Sequence, residues 1–420
     1  MMRQALSPHF YVSATLLVTA GSLLLFHLLG LERDSIFLPV LALAVLYGLI
    51  YFIRQCRGGG IYHIDGSIEP AQLLRRAIAR YLVWLVVLYG GYQFYLFTPW
   101  YNNWQHQTTQ QLFGDFLHVY LWAGIPYFAL TLTFKASRRE DFYDPAIRML
   151  HVLRQIGHQL WRRLRYGDNT TPPLRVLRRP YNRKVFLNLV MRAYFLPVMV
   201  EQVAPTSVNT LQTVYAGLDG GQFITWVLAL IAMLWLMDIL NASVAYALES
   251  RWLENRSRSI DLTIGGWLVC LSCYPPLNEA TGTLFAFAPF VASGQPGDLV
   301  YASVGLLYAL KIAEALLLSV HIYTDVSLGP SVANITLKKL QTRGMYGLVR
   351  HPGTTTKLLF WLLQSAFYRQ FWSAKMLFGY LGWGVIYVLR ALTEERHLSK
   401  FAEYREYRKK VKYRFIPGLW

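Results

Sequence analysis

Charge is scarce in this chain. Of its 420 residues only 15% are Asp, Glu, Lys or Arg, where a soluble domain carries about a quarter. Acid is scarcer than base, 23 residues against 41. Cysteine is nearly missing, with Cys56, Cys270 and Cys273 the three present. So few thiols exclude a disulfide scaffold. Cys270 and Cys273 form C-x-x-C inside an apolar run, with no companion ligands. They read as two small core residues on one helical face, and no metal site is expected. There is no internal repeat and no low-complexity tract. No stretch between apolar runs is long enough for a sizeable soluble domain. The opening MMRQALSPHF lacks a convincing cleavage site, so the first apolar run is expected to be a retained span rather than a signal peptide.

What the chain has in quantity is apolar surface, 54% hydrophobic and 15% aromatic. Runs long enough to cross a bilayer are Phe10–Leu31, Ile36–Ile53, Tyr81–Phe97, Phe116–Phe134, Val185–Val203, Phe223–Leu248, Leu262–Leu277, Val300–Ile322, Thr354–Phe367 and Phe371–Leu392, about ten spans in all. Backbone polar groups in lipid must be satisfied within the segment, which makes the spans helices. The expected fold is an all-α polytopic membrane protein.

The net charge of +18 would suit nucleic acid, but its distribution points elsewhere. Thr98–Leu112, Ala204–Gln222 and Asn278–Asp298 contain no Lys or Arg. Arg54–Arg80, Lys135–Lys184, Glu249–Ser259, Lys338–Arg350 and the tail hold most of them. Such alternation follows the positive-inside rule and places both termini in the cytoplasm. The partner is a membrane and nucleic acid is not expected. A bacterial inner membrane and an endoplasmic reticulum fit equally. One turn, Tyr368–Lys375, should lie outside yet carries Arg369 and Lys375. The last two runs are therefore open to a second reading as a shallow or tilted hairpin. Trp100, Tyr101 and Trp104 suit an outer aromatic belt.

Residues 144–166 place Ile147, Leu150, Leu153, Ile156, Leu160, Trp161 and Leu164 at helical spacing, with Arg148, His151, Arg154, His158, Arg162 and Arg165 opposite. Asp144 suits an N-cap and Pro145 the first helical position. A basic amphipathic helix in the headgroup layer is expected, with a helix packed on the bundle as the alternative. Arg192, Glu201, Asp238, Lys311 and Glu314 fall in or near spans, where a charge costs about 2.5–3.5 kcal/mol. They read either as a polar cavity wall or as interhelical ties.

The C-terminal part carries an ordered pattern: Gly344, Tyr346, Arg350-His351-Pro352, a hydrophobic hairpin, Arg390, Glu394-Glu395, Leu398, Phe401, Tyr404, Tyr407, Val411 and Pro417. This resembles the signature of integral-membrane methyltransferases, the superfamily of isoprenylcysteine carboxyl methyltransferases and phospholipid N-methyltransferases. Its usual form is G-x-Y-x-x-x-R-H-P-x-Y-x-G, then a hairpin, then R-x-x-x-E-E-x-x-L-x-x-x-F-G-x-x-Y-x-x-Y. The chain departs from it at Thr354, Thr356 and Ala402, which bears on the shape of the pocket. The expected divisions are 1–134 and 185–330 as transmembrane regions, 135–184 as a basic cytoplasmic loop, and 331–420 as the cofactor-binding region.

The resemblance implies S-adenosylmethionine held at the cytoplasmic end of the last helices. Tyr346, Arg350, His351, Pro352, Glu394, Glu395, Tyr404 and Tyr407 would bind it, and Arg390 and Glu394 would lie where donor and acceptor meet. A guanidinium suits the cofactor's carboxylate, carboxylates suit its ribose or amine, and tyrosines suit its adenine. The acceptor is expected to be a lipid or a prenyl-linked carboxylate or amine from the inner leaflet. Sterol and steroid reductases, which bind NADPH, share this layout and are the alternative enzyme class. A non-catalytic lipid-binding protein is the third reading.

Overall fold

The computed structural model describes residues 7–29, 37–57, 69–97, 107–133, 145–167, 172–249, 253–287, 299–301 and 303–419. Among them are thirteen α-helices and one two-stranded ribbon, so the all-α expectation holds. The helices are α1 (Pro8–Leu29), α2 (Phe37–Arg57), α3 (Pro70–Phe97), α4 (Gln107–Leu132), α5 (Pro145–Tyr166), α6 (Pro180–Leu218), α7 (Phe223–Ala247), α8 (Ile264–Leu271), α9 (Leu277–Leu284), α10 (Val304–Val326), α11 (Pro352–Ala366), α12 (Ala374–Leu398) and α13 (Ala402–Lys410). Strand β1 (Ser259–Ile260) pairs antiparallel with β2 (Thr336–Leu337).

Four described helices, α1, α7, α10 and α12, are long and apolar enough to cross a membrane. Three expectations change. The run Leu262–Leu277 is not one helix: α8 and α9 have eight residues each, or about 12 Å apiece, and Pro275 and Pro276 separate them. The segment Ala204–Gln222, expected as a loop, continues α6 as far as Leu218, so the helix runs on through Pro205, a residue that ordinarily kinks or ends one. Part of the loop Thr98–Leu112 is also helix, since α4 begins at Gln107. Trp100, Tyr101 and Trp104 lie outside the described residues.

The chain divides into two compact units, 1–44 with 201–420, and 45–200. In the second, α3 packs on α4, with Tyr81 and Tyr120 stacked at 5.3 Å. Helix α5 forms as expected. Arg148 donates twice to Asn182 Oδ1, at 3.2 and 3.1 Å. Leu153, Leu160, Trp161 and Leu164 remain exposed, an unusual state for a row of apolar side chains.

In the first unit α10 is central, packed against α1, α7 and α11. Leu234 and Met237 of α7, Leu318, Ile322 and Val326 of α10, and Phe360 of α11 form its core. Helix α7 is apolar all round, which is how a helix reads when several faces are covered. Helices α11 and α12 form the hairpin expected from the last two runs. Its tip returns to the start of α10: Leu299 bridges Tyr368, and Arg369 Nε donates to the Leu299 carbonyl at 3.1 Å. Arg369, the residue that sat poorly with the charge rule, is thus tied to a backbone oxygen.

The segment after α9 crosses α12 at two glycines. A Cβ on Gly382 would stand 2.0 Å from the Phe285 ring, and one on Gly379 3.0 Å from the backbone of residues 286 and 287. Trp383 Nε1 donates to the Phe285 carbonyl at 3.1 Å. Gly382→Ala is expected to lower stability by about 1–3 kcal/mol through overpacking. Thermal unfolding in detergent measures it, and an unchanged midpoint would show that the segment is free to lift away.

Candidate active site

The motif residues gather at one end of the α10–α12 group. Gly344 has φ +64°, a backbone state that favours glycine, and a Cβ there would lie 3.0 Å from the Tyr323 hydroxyl. The turn Gly344–Gly347 delivers Arg350 and His351 to the start of α11, where Pro352 takes the first helical position, as its ring geometry favours.

Arg350 and Glu395 pair across two elements, both almost fully buried. Arg350 Nη1 also donates to the carbonyls of Val411, at 2.9 Å, and Lys412, at 2.6 Å. Glu395 Oε2 accepts from Arg414 Nε at 2.9 Å, and Oε1 lies 3.4 Å from Tyr404 Oη. His351 Nε2 faces the same carboxylate at 3.6 Å, beyond ordinary hydrogen-bond length. The backbone joins the knot, since Arg350 N and His351 N donate to the carbonyls of Tyr413 and Arg414 at 3.0 and 2.9 Å. Arg350 and Glu395 therefore clasp the tail onto the motif loop, and their charges are spent on each other.

Tyr404 and Tyr407 sit in an apolar cluster with Leu337, Leu398 and Val411. Their rings lie 5.6 Å apart, and Tyr407 Oη donates to the Tyr346 carbonyl at 2.7 Å. Burial pushes the Tyr404 phenol up from its usual range, and the charge on Glu395 adds to it. Burial raises Tyr407 also, opposed by Arg350. Burial lifts Tyr346, with the charges of Asp325 and Glu394 in the same direction. All three stay neutral at physiological pH.

Arg390 and Glu394 point elsewhere. Arg390 donates to Asn334 Oδ1 and lies over the rings of Tyr274, at 5.5 Å, and Tyr387, at 5.9 Å. Tyr274 sits in the break between α8 and α9, and its hydroxyl accepts from Asn334 Nδ2 at 3.0 Å. Irregular backbone among apolar helices is tolerated where protein or a polar cavity satisfies it. Lys357 of α11 shares the Tyr387 ring at 5.3 Å. Asp325 presses Oδ1 against Gly353, where a Cβ would stand 2.8 Å away. His321 Nε2 is 3.7 Å from Asp325 Oδ2, and its Nδ1 lies 2.9 Å from Thr356 Oγ1. The Thr356 departure from the pattern is thus filled by a hydrogen bond. Asp238 is within electrostatic reach of Asp325, His321 and Lys357. Glu394 is exposed at the mouth.

Sequence reasoning left Asp238 undecided, read Lys357 as a headgroup anchor at a helix end, and missed His321, Asp325, Tyr274 and Asn334. His321 and Asp325 are four apart on one helix face, a signal available in the sequence. Tyr274 and Asn334 lay outside any pattern. Lys311 and Glu314 pair within α10 rather than between helices: they bond each other at 3.1 and 2.9 Å, both buried. Below Arg390 lies a cavity of about 40 Å³, lined among others by Asp261, Cys270, Asn334, Thr336, Glu394 and His397. Comparison of the chain with protein-family models, curated proteins and solved structures returned no match.

Proposed function

We propose that the protein transfers a methyl group from S-adenosylmethionine to an amphiphile held in the membrane. The observation that carries this reading is the meeting of Arg390, Lys357, Asp325, Glu394 and two tyrosine rings at the end of a helix group. Three carboxylates (Asp238, Asp325 and Glu394) stand against two cations. One negative charge is left over, and it suits a cofactor whose sulfonium and amine outweigh its carboxylate by one. Arg390 and Lys357 would hold that carboxylate, Asp325 and Glu394 the amine and ribose hydroxyls, and Tyr274 and Tyr387 offer ring faces to the sulfonium. Arg350 and Glu395 act behind them by fixing the tail and the start of α11. The cofactor supplies an activated methyl that passes to the acceptor in one displacement. The chain's task is then alignment and exclusion of water. A ligand of this size asks for about 300 Å³ or more, so binding has to widen the cleft on the exposed Glu394 side.

The membrane arrangement follows the same logic. The apolar parts of α2, α3, α4 and α6 join the four long helices as crossings, α8 with α9 makes one interrupted crossing, and α11, paired with α12, makes the tenth. Both termini then face the cytoplasm, as the basic segments require. The exposed apolar face of α5 lies in the headgroups. The acceptor, a lipid or prenyl-linked molecule, enters from the inner leaflet.

The test is binding to purified protein. S-adenosylhomocysteine at a hundred times its dissociation constant should stabilise the fold by about 2.7 kcal/mol, and NADPH should leave the thermal midpoint unchanged. The reverse outcome would assign the reductase class. No response to either would leave a lipid-binding role. Labelled methyl should pass into the organic phase when membrane lipid is supplied; label only in water-soluble products would overturn the acceptor class.

A further inference from the structure

We propose that the cavity beneath Arg390 seats the acceptor's nucleophile, that this nucleophile is the nitrogen of a long-chain amine, and that His397 takes its proton. The inference rests on the methyl-transfer reading and narrows it to one acceptor chemistry and one further residue.

His397 is 4% exposed and lines the cavity. One ring nitrogen is committed: Nε2 lies 2.9 Å from Ser259 Oγ. The other, Nδ1, is buried without a hydrogen-bond partner. A buried imidazole nitrogen left open costs free energy that a merely structural histidine would recover by bonding a neighbour. Ser259 lies on β1, so the ribbon holds the ring by Nε2 and leaves Nδ1 for whatever enters.

The wall chooses the acceptor's charge. Asp261 and Glu394 both line the cavity. Arg390 there is assigned to the cofactor's carboxylate, and Asp261 is balanced by Arg396. A carboxylate acceptor would meet the like charge of Glu394 and would give His397 no proton to take. An amine, with a pKa near 10, arrives protonated, is attracted by Glu394, and must lose a proton before it can attack. The groups facing His397 are Asp261 from the β1–α8 connection, Cys270 of α8, Glu394 and Arg396 of its own helix, and Lys400 beyond. Arg396 is engaged with Asp261 Oδ2 at 3.3 Å. The route to lipid is apolar: Ile264 and Leu268 of α8 stand exposed beside the cavity-lining Gly266.

The step balances within these groups. The ammonium gives one proton to Nδ1 of neutral His397. The freed pair on nitrogen forms the bond to the methyl carbon, and the pair of the broken carbon–sulfur bond stays on sulfur as a neutral thioether. His397 then returns its proton to water through the mouth at Glu394.

The test uses the full chain in phosphatidylcholine vesicles, with octadecylamine and octadecanoic acid as probe acceptors and labelled methyl donor. Wild type should methylate the amine and leave the acid. His397→Gln keeps a polar atom near the Nε2 position and removes the Nδ1 base. Its rate on the amine should fall about 100-fold near pH 7. The deficit should shrink toward about pH 10, where the amine deprotonates unaided. S-adenosylhomocysteine should bind both proteins alike. Equal rates for variant and wild type at neutral pH, or preference for the acid, would overturn the proposal. Should the Gln variant lose ligand binding, Ser259→Ala decides. It leaves His397 in place and frees its ring, so the rate should drop about tenfold with a displaced pH profile, and an unchanged profile counts against the base. Wild type that binds no S-adenosylhomocysteine would bring down the methyl-transfer reading itself.

Discussion

Glu395→Ala should be the most destabilising single change in the C-terminal half. The carboxylate is 4% exposed and receives Arg350, Arg414 and Tyr404. Its removal leaves the Arg350 guanidinium buried with only two carbonyl acceptors. Breaking one partner of a buried ion pair costs about 3–5 kcal/mol, since the remaining charge keeps its desolvation cost and loses its compensation. The tail from Val411 to Phe415 should then loosen from the start of α11, because Arg414 loses its carboxylate partner and the donors Arg350 N, His351 N and Thr355 Oγ1 are left to hold it alone. Thermal unfolding in detergent should show a midpoint lowered by about 5 °C, together with cleavage of the tail by a protease that spares wild type. The double variant Arg350→Met with Glu395→Leu removes both charges and should recover part of the loss. A midpoint shift below about 2 °C in Glu395→Ala would show that the clasp is not what holds the tail.

This clasp engages the same residues that the sequence pattern singled out. The linked spacing of Arg350, His351, Glu395, Tyr404 and Tyr407 suggested a set of groups reaching for a ligand, and the sequence alone offers no way to separate that from groups reaching for each other. Arginine and glutamate satisfy a buried partner with the same fork geometry they would offer a carboxylate or an amine. Arg390 and Glu394 differ because their neighbours are aromatic faces and an open mouth. Asp325 and His321 escaped notice, and Lys357 reads as a headgroup anchor, for a related reason. Charge at the end of an apolar run reads as a helix end until packing brings α7, α10 and α11 together.

The helices themselves were legible wherever apolar runs were long, as in α1, α7, α10 and α12, because burial in lipid leaves the backbone one solution. The reading failed at Leu262–Leu277, where hydropathy is continuous and backbone is not. Pro275 and Pro276 lack the N–H that a continuing helix needs, and Tyr274 in the gap finds Asn334 and Arg390 instead. Composition saw a span there, and the break that supplies a site residue was hidden by the apolar residues around it.

Arg390 is where the loss of activity should be greatest. Its guanidinium joins the tyrosine at the α8–α9 break, the Asn334 amide and the Tyr387 ring that Lys357 also occupies. It thus links α12 to the break between α8 and α9 through both charge and ring contacts. Lysine keeps the positive charge but loses the planar fork and the stacking face. Arg390→Lys should therefore leave the fold intact while it misplaces the group proposed to hold the cofactor's carboxylate. S-adenosylhomocysteine affinity is expected to fall at least tenfold, about 1.4 kcal/mol. Methyl transfer should fall further, by about 100-fold or more, since a misplacement of about 1 Å at the reacting centre weakens alignment beyond its effect on binding. Lys357→Met should lower affinity without that extra loss in rate, because Lys357 lies one ring further from the cavity. Calorimetry and single-turnover transfer separate the two effects. If Arg390→Lys matches wild type in both, Arg390 is a structural tie between α12 and the broken helix, and the reacting centre lies on the Asp325 side of the cluster.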